Sequence, residues 1–180
     1  MTSTTDAPTT SYAIDPAHSR LGFAVRHMML TKVRGEFTSF HGSLQLGASE
    51  IPQHLATTIE IASISTNEKD RDTHLKSPDF FDAATYSTMN FESTNIQANG
   101  TEHFTVLGNL TIHGVTKAVE LKGIFEGKTV DPWGKNRIAY SATTRINRKD
   151  FGLVWNQTLE TGGLLVGEEI EITLEIQAVA

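Results

Sequence analysis

The sequence has no cysteine, which removes disulfides, thiol nucleophiles and thiolate metal sites together. It has no apolar run approaching the roughly 20 residues that a membrane-spanning helix needs. Its opening, MTSTTDAPTT, lacks the basic start and apolar segment of a secretory signal, so the expectation is a soluble, cytoplasmic protein. Positive charge is scarce: 15 Lys and Arg against 21 Asp and Glu leave a net charge of −6. That balance argues against nucleic acid or anionic membrane as a partner, since both need a basic face. Apolar residues make up only 38% of the chain, which suits strands with one face in water better than a doubly covered parallel sheet. At 180 residues the chain fits one domain with a single core, expected over residues 12–180 after a disordered tail at 1–11.

What is present is alternation. From Ser19, the residues Leu21, Phe23, Val25 and His27 share one face and Arg26 takes the other, a first strand. Residues 35–46 form a second, in which Phe37, Phe40, Leu44 and Leu46 break strict alternation and predict a bulge or bend. Residues 56–65 set Ile59 and Ile61 opposite Glu60, and 87–94 put Met89 and Phe91 on one face. Residues 103–112 alternate Phe104, Val106, Gly108, Leu110 and Ile112; a sixth strand from Val115 carries Val119, Leu121 and Phe125. Residues 137–146 and 167–178 complete the set, the last alternating Ile170, Ile172, Leu174 and Ile176 with acids. Asn99-Gly100, His113-Gly114 and Asp131-Pro132-Trp133-Gly134 read as turns. The fold expected is all-β, an eight-stranded antiparallel up-and-down barrel with short helical or loop insertions at one rim; a two-sheet sandwich is the alternative.

In such a barrel connections alternate between the ends. The links at 27–34, 66–86, 113–114 and 147–166 therefore share one rim, and that rim is the candidate functional region. Its densest stretch is Lys69 to Tyr86, KDRDTHLKSPDFFDAATY. Thr66 or Asn67 should cap a short helix with Glu68 and Asp70 in its first turn, and Pro78 should end it. The charges here read either as fastenings of a surface helix or as a ligand site.

These residues carry a resemblance. Tyr12-Ala-Ile-Asp15-Pro-Ala-His18-Ser19 with Phe23 and His27, then Gly35-Glu-Phe37 with Phe40-His-Gly42, Arg71-Asp72-Thr-His74-Leu-Lys-Ser77 with Asp79-Phe80-Phe81-Asp82, Gly108 to Thr116, and Asn147-Arg148-Lys-Asp150-Phe151-Gly152 together resemble the YceI-like family of polyisoprenoid-binding proteins. Ser87 departs from the proline common there after the tyrosine, and the export signal of many relatives is not seen. The resemblance implies a lipocalin-like barrel with an apolar pore for a long isoprenoid or fatty chain, and no enzyme activity or other cofactor. Pore residues expected on this basis are Phe23, Val25, Met28, Phe37, Phe40, Ile59, Met89, Phe91, Leu110 and Ile112 from the strands, with Phe80, Phe81 and Trp155 from the rim loops. His27, Asp72, His74, His113, Arg148 and Asp150 are the expected rim or head-group residues.

The physics of a lipid fits. A ten-residue strand rises roughly 33 Å, and each buried methylene contributes about 0.8 kcal/mol, so a long tail is held without specific polar contacts and only the mouth needs polar groups. Two rival classes stand beside the lipid carrier: a metal-dependent enzyme using His27, His74, His113 and Asp72, and a ligand-free structural barrel. A Ser77, His74, Asp72 hydrolase lacks a nucleophile-elbow motif. Arg71 or Arg148 is expected to pair with Asp72 or Asp150 and stitch the two long loops into a lid, and Trp155 equally suits a loop anchor or a homodimer contact.

Overall fold

Alternation builds strands along nearly the whole chain because a strand turns every second side chain to the same face. In this computed structural model, which describes residues 8–180, the strand segments are β1 (Thr10–Ile14), β2 (Arg20–His27), β3 (Thr31–Phe37), β4 (Phe40–Leu46), β5 (Pro52–Glu60), β6 (Ile64–Ser65), β7 (Thr88–Ala98), β8 (His103–Ile112), β9 (Val115–Val130), β10 (Asn136–Asn147) and β11 (Val166–Val179), with one helix, α1 (Lys69–Lys76). These segments make eight barrel strands, because the first three strands are each interrupted. The Asp15 carboxylate caps a 3-10 turn at Pro16–His18 between β1 and β2. Thr38 and Ser39 separate β3 from β4, the break that the lost alternation at Phe37 and Phe40 predicts. A 3-10 turn at Ile61–Ser63 separates β5 from β6. The last two breaks lie side by side, since Thr38 N donates to Ser63 O and Glu60 N to Ser39 O.

The sheet closes on itself. β11 pairs with β10 along one edge and with β2 and β1 in turn along the other, while β1 also pairs with β4. Closure leaves most of the strands without an exposed edge to recruit another chain. Thr10 and Ser11 already pair with Leu46 and Gln45, so the expected tail through residue 11 is shorter than stated; residues 1–7 lie outside the described residues. Among the described residues no helix is long and apolar enough to cross a membrane.

The core is one-sided. On the β4, β5, β7 and β8 wall the inward residues are buried against one another, including Phe40, Leu44, Ile59, Met89, Phe91, Phe104, Val106, Leu110 and Ile112. On the opposite wall the inward residues are just as apolar but only half-buried: Phe23 and Val25 on β2, Ala142 and Ile146 on β10, and Ile170, Ile172 and Leu174 on β11. Side chains that point into a closed barrel yet keep accessible surface face open lumen. Packing to native density leaves no such space, and Ile146 and Ile172 of this wall reach an open cleft.

The end away from the elaborate rim is fastened by charge. Arg137 donates to Asp131 and Asp15 at 2.8 Å each and to Gln177 at 2.9 Å, and Asp131 also accepts from the backbone N–H groups of Trp133 and Lys135. The Arg137 guanidinium holds Asp15, and the turn amides with Arg137 hold Asp131, below the usual carboxylate range.

Candidate functional site

The first half of the rim stretch folds locally as a surface helix, α1. Pro78 follows it and the helix stops at Lys76 as expected, but its cap is neither Thr66 nor Asn67. The Glu68 carboxylate accepts from the N–H groups of Asp70 and Arg71. Asn67 stands at φ +59°, outside the extended conformation a cap residue needs. The Thr66 hydroxyl is taken, donating to Asp72 at 2.6 Å and accepting from Arg71 Nε at 2.7 Å. Asp72 thus tethers its own helix to the end of β6. It does not reach the second loop.

Arg148 does not pair with an acid either. It is 4% exposed, and its guanidinium donates to four carbonyls, those of Gly167, Leu153, Trp155 and Val166. Burial lowers its pKa. The expected charge stitch between the loops is therefore replaced by something else: Arg148 folds residues 148–167 around itself and is unavailable to a head group. Asp150 is exposed and sits at the cleft described below.

The two loops do meet, through aromatic rings. Trp155 packs edge-on to His74 with centroids 4.7 Å apart and lies 5.3 Å from Phe80, and His74 stands 5.1 Å from Phe80. Phe80 is buried in this rim cluster rather than in the main core. Phe81 turns the other way and packs edge-on to Phe37 at 5.9 Å, and Phe37 in turn meets Phe23 at 5.7 Å.

The rim histidines sit apart. His74 Nε2 is 2.8 Å from Asp79, not Asp72, and the Ser77 hydroxyl donates to the His74 carbonyl, so the Ser77, His74, Asp72 set has no relay geometry. His113 packs edge-on to Tyr86 with centroids 4.7 Å apart, and a Cβ built at Gly152, whose φ is +78°, would lie 3.2 Å from His113 Nδ1. His27 ends β2 opposite Thr31. Among the described residues no three His, Asp or Glu side chains converge as a metal site would require.

A feature that alternation does not reveal opens the barrel wall. β9 and β10 pair from Asn136 opposite Val130 up to Thr143 opposite Lys122 and no further. Toward the rim β9 continues against β8 alone and β10 against β11 alone. A register shift at Ala139/Tyr140, near Gly127 at φ +143°, precedes the parting; such a bulge bends its strand and increases local twist. Across the gap the Thr144 hydroxyl donates to the Glu120 carbonyl at 2.6 Å. The cleft between the strands has a volume of about 750 Å³ and is lined from both sides of the wall: Val119, Thr144, Ile146, Ile172 and Phe151 from within, Glu120, Lys122, Thr143, Arg145 and Glu171 from without, with Lys117 and Asp150 at its edge. That volume lies in the range of about 300–1,000 Å³ typical of small-molecule sites.

Placed against this geometry, the expected pore residues divide. Phe37, Phe40, Ile59, Met89, Phe91, Leu110 and Ile112 are inward but buried in the packed wall. Phe23 and Val25 belong to the half-open wall. Met28 is misplaced by the sequence reading: it sits in the β2–β3 turn at φ +51° and is 40% exposed, outside the lumen. Val119, Thr144, Ile146 and Ile172 were not singled out, although the clean alternation of β10 and β11 marks three of them as inward.

A model of the YceI-like domain family matches residues 12–178. The chain belongs to the YceI-like family. It is 36% identical over 145 residues to a UPF0312 protein of Vibrio cholerae, covering 79% of this chain and 77% of that protein. Among solved structures, the Campylobacter jejuni YceI protein superimposes with a TM-score of 0.74 at 30% identity, over 86% of this chain and 89% of that one. A domain of Saccharophagus degradans described as polyisoprenoid-binding and implicated in plant cell wall breakdown shares the fold with a TM-score of 0.72 at 16% identity, over 94% of this chain and 98% of that one. The eight-stranded closed barrel is the architecture of this YceI-like group.

Proposed function

We propose that this YceI-like chain binds a long-chain isoprenoid, or a similar amphiphilic lipid, with its tail along the half-open wall of the barrel and its head at the lateral cleft, and that it acts as a carrier or store rather than as an enzyme. The observation that carries this reading is the one-sided core: Ile172, Ile146, Val119 and Phe23 are inward, apolar and only half-buried, and the first three line the cleft. Leaving such surface in contact with water is unfavourable by about 25 cal/mol per Å², and an apolar tail relieves that cost without directional contacts. Lys117, Lys122, Thr143 and Asp150 give the mouth polar character suited to a head group. The polyisoprenoid-binding description of the Saccharophagus degradans domain supports the same ligand class.

The test is native extraction. Protein purified without detergent is denatured in organic solvent and its extract analysed by mass spectrometry, in parallel with titration of the delipidated protein by a polyprenyl alcohol. Recovery of a stoichiometric polyprenyl lipid is the expected result. An extract free of lipid, together with no saturable binding of the polyprenyl alcohol, overturns the reading.

A further inference from the structure

The β2–β3 hairpin ends in Met28, Met29 and Leu30, which are 40%, 73% and 74% exposed. Leu30 N donates to His27 O at 3.0 Å, and Met28 and Met29 both take left-handed backbone, φ +51° and +58°. This is the geometry of a type I′ turn, whose two central positions favour Asn, Asp and Gly because side chains there are strained. Two methionines are unfavourable residues for closing this turn. The tip is also held in place: Met28 N donates to Leu165 O at 2.8 Å, and Gly163 lies against Met29, so that a Cβ built there would sit 3.5 Å from the Met29 sulfur. Leu164, 40% exposed, adds a fourth apolar side chain from the second loop.

The hairpin's own charge runs against the rest of the molecule. Residues 26–34 read RHMMLTKVR, three bases and no acid, in a chain of net charge −6. Lys32 is paired with Glu171 at 2.8 Å. Arg26 and Arg34 are exposed and form no close ion pair with a described residue, and the Arg26 charge acts on Glu171. A protruding apolar point on a basic hairpin matches the layered chemistry of an anionic bilayer, in which acyl chains lie beneath phosphates. Methionine suits such a disordered partner, being unbranched and adaptable.

We propose that the Met28–Leu30 tip, with Leu164 beside it, docks the barrel onto an anionic phospholipid surface. The proposal extends the lipid-binding reading and rests on it for the purpose of docking. Residues 148–165 connect the tip to the lateral cleft, since Phe151 lines the cleft and Leu165 holds Met28. Docking at the rim brings the cleft toward the membrane in which a long isoprenoid resides.

The test uses sedimentation of the full chain with vesicles of phosphatidylcholine alone or with a third of phosphatidylglycerol, free of isoprenoid. Binding is expected to the anionic vesicles only, and to weaken as salt is raised. Met29→Ser with Leu30→Ser changes exposed side chains, so its melting temperature should match the parent while the partition coefficient falls roughly ten-fold or more. Arg26→Gln with Arg34→Gln should weaken binding to anionic vesicles as well. Trp133→Ser, at the opposite end and 80% exposed, should bind as the parent does. Absence of anionic-vesicle binding by the parent, or equal binding by the tip variant, overturns the proposal. So does a concentration-dependent dimer that the tip substitutions abolish without any vesicle binding. Polyprenyl alcohol titration of the tip variant in solution keeps the two readings apart: unchanged uptake with lost vesicle binding supports docking, whereas lost uptake by the parent itself defeats the cargo reading alone.

Discussion

Replacing Ile172 with tryptophan asks whether the barrel is hollow where its inward face is uncovered. Ile172 lies opposite Thr144 on one side and Phe23 on the other, points inward and reaches the cleft. If the lumen beside it is open, the indole enters existing space and stability should change by less than about 1 kcal/mol. If the lumen is filled, overpacking should cost about 1–3 kcal/mol. Val106→Trp supplies the comparison, because Val106 is inward on the packed wall and 1% exposed; it should show the full overpacking cost. The same indole removes ligand surface. Covering roughly 120 Å² of wall that a tail would otherwise cover forfeits about 3 kcal/mol, close to a hundred-fold in Kd. Urea unfolding gives the first quantity, and titration with a long-chain apolar fluorescent probe gives the second. Equal destabilisation by the two tryptophans would mean the lumen is filled. An unchanged Kd for Ile172→Trp would move the ligand off this wall.

Three further outcomes are expected. Arg148→Met leaves four carbonyls without their donor and should lower stability by about 3–5 kcal/mol in urea titrations; Arg148→Lys should restore only part, because an ammonium cannot span the acceptors that a guanidinium fork reaches, and full recovery by lysine would refute the fork argument. Trp155→Ala removes the ring shared by His74 and Phe80, so stopped-flow measurements should show faster ligand release with little change in uptake, whereas Asp72→Asn should leave Trp155 emission unchanged and combine additively with Arg148→Met to within about 0.5 kcal/mol. Asp15 and Asp131 are held below the unfolded carboxylate value of about 3.9, so their contribution is fully present above about pH 4 and is lost as pH falls through their lower folded values; melting curves from pH 3 to 7 should show an acid-side decline that Arg137→Gln flattens, and an identical decline in that variant would assign acid sensitivity elsewhere.

Much of the architecture is written in local pattern. Residues 103–112 form β8 with the boundaries that alternation predicts, the irregular spacing of Phe37 and Phe40 marks the break at Thr38 and Ser39, and the parity of up-and-down connections places α1 and residues 148–165 at one rim. Intrinsic propensity was less informative at the helix start. Thr66 and Asn67 are good capping residues in isolation, but tertiary demand uses the Thr66 hydroxyl for Asp72 and Arg71 and sets Asn67 at positive φ, leaving Glu68 to cap. The charge stitch failed for a similar reason. Opposite charges are visible in a sequence and backbone carbonyls are not, so a buried arginine satisfied by four carbonyls looks like one awaiting an acid.

The site itself turns on a distinction that alternation cannot make. Val106 and Ile172 have the same inward parity and the same apolar character, yet one is packed and the other uncovered. The difference comes from the ladder: β9–β10 pairing, already shifted by a bulge near Gly127 and Tyr140, ends at Thr143 and Lys122, and the wall opens beyond it. A side chain's pattern therefore tells which way it points, while the ladder two strands away tells whether anything meets it there. Charge obeys the same logic. A net charge of −6 speaks against an anionic partner for the molecule taken as a whole, but screening confines each charge to about 8 Å at physiological salt, so a membrane approaching Met29 and Leu30 responds to the charges nearest the tip, Arg26 among them, and not to the sum.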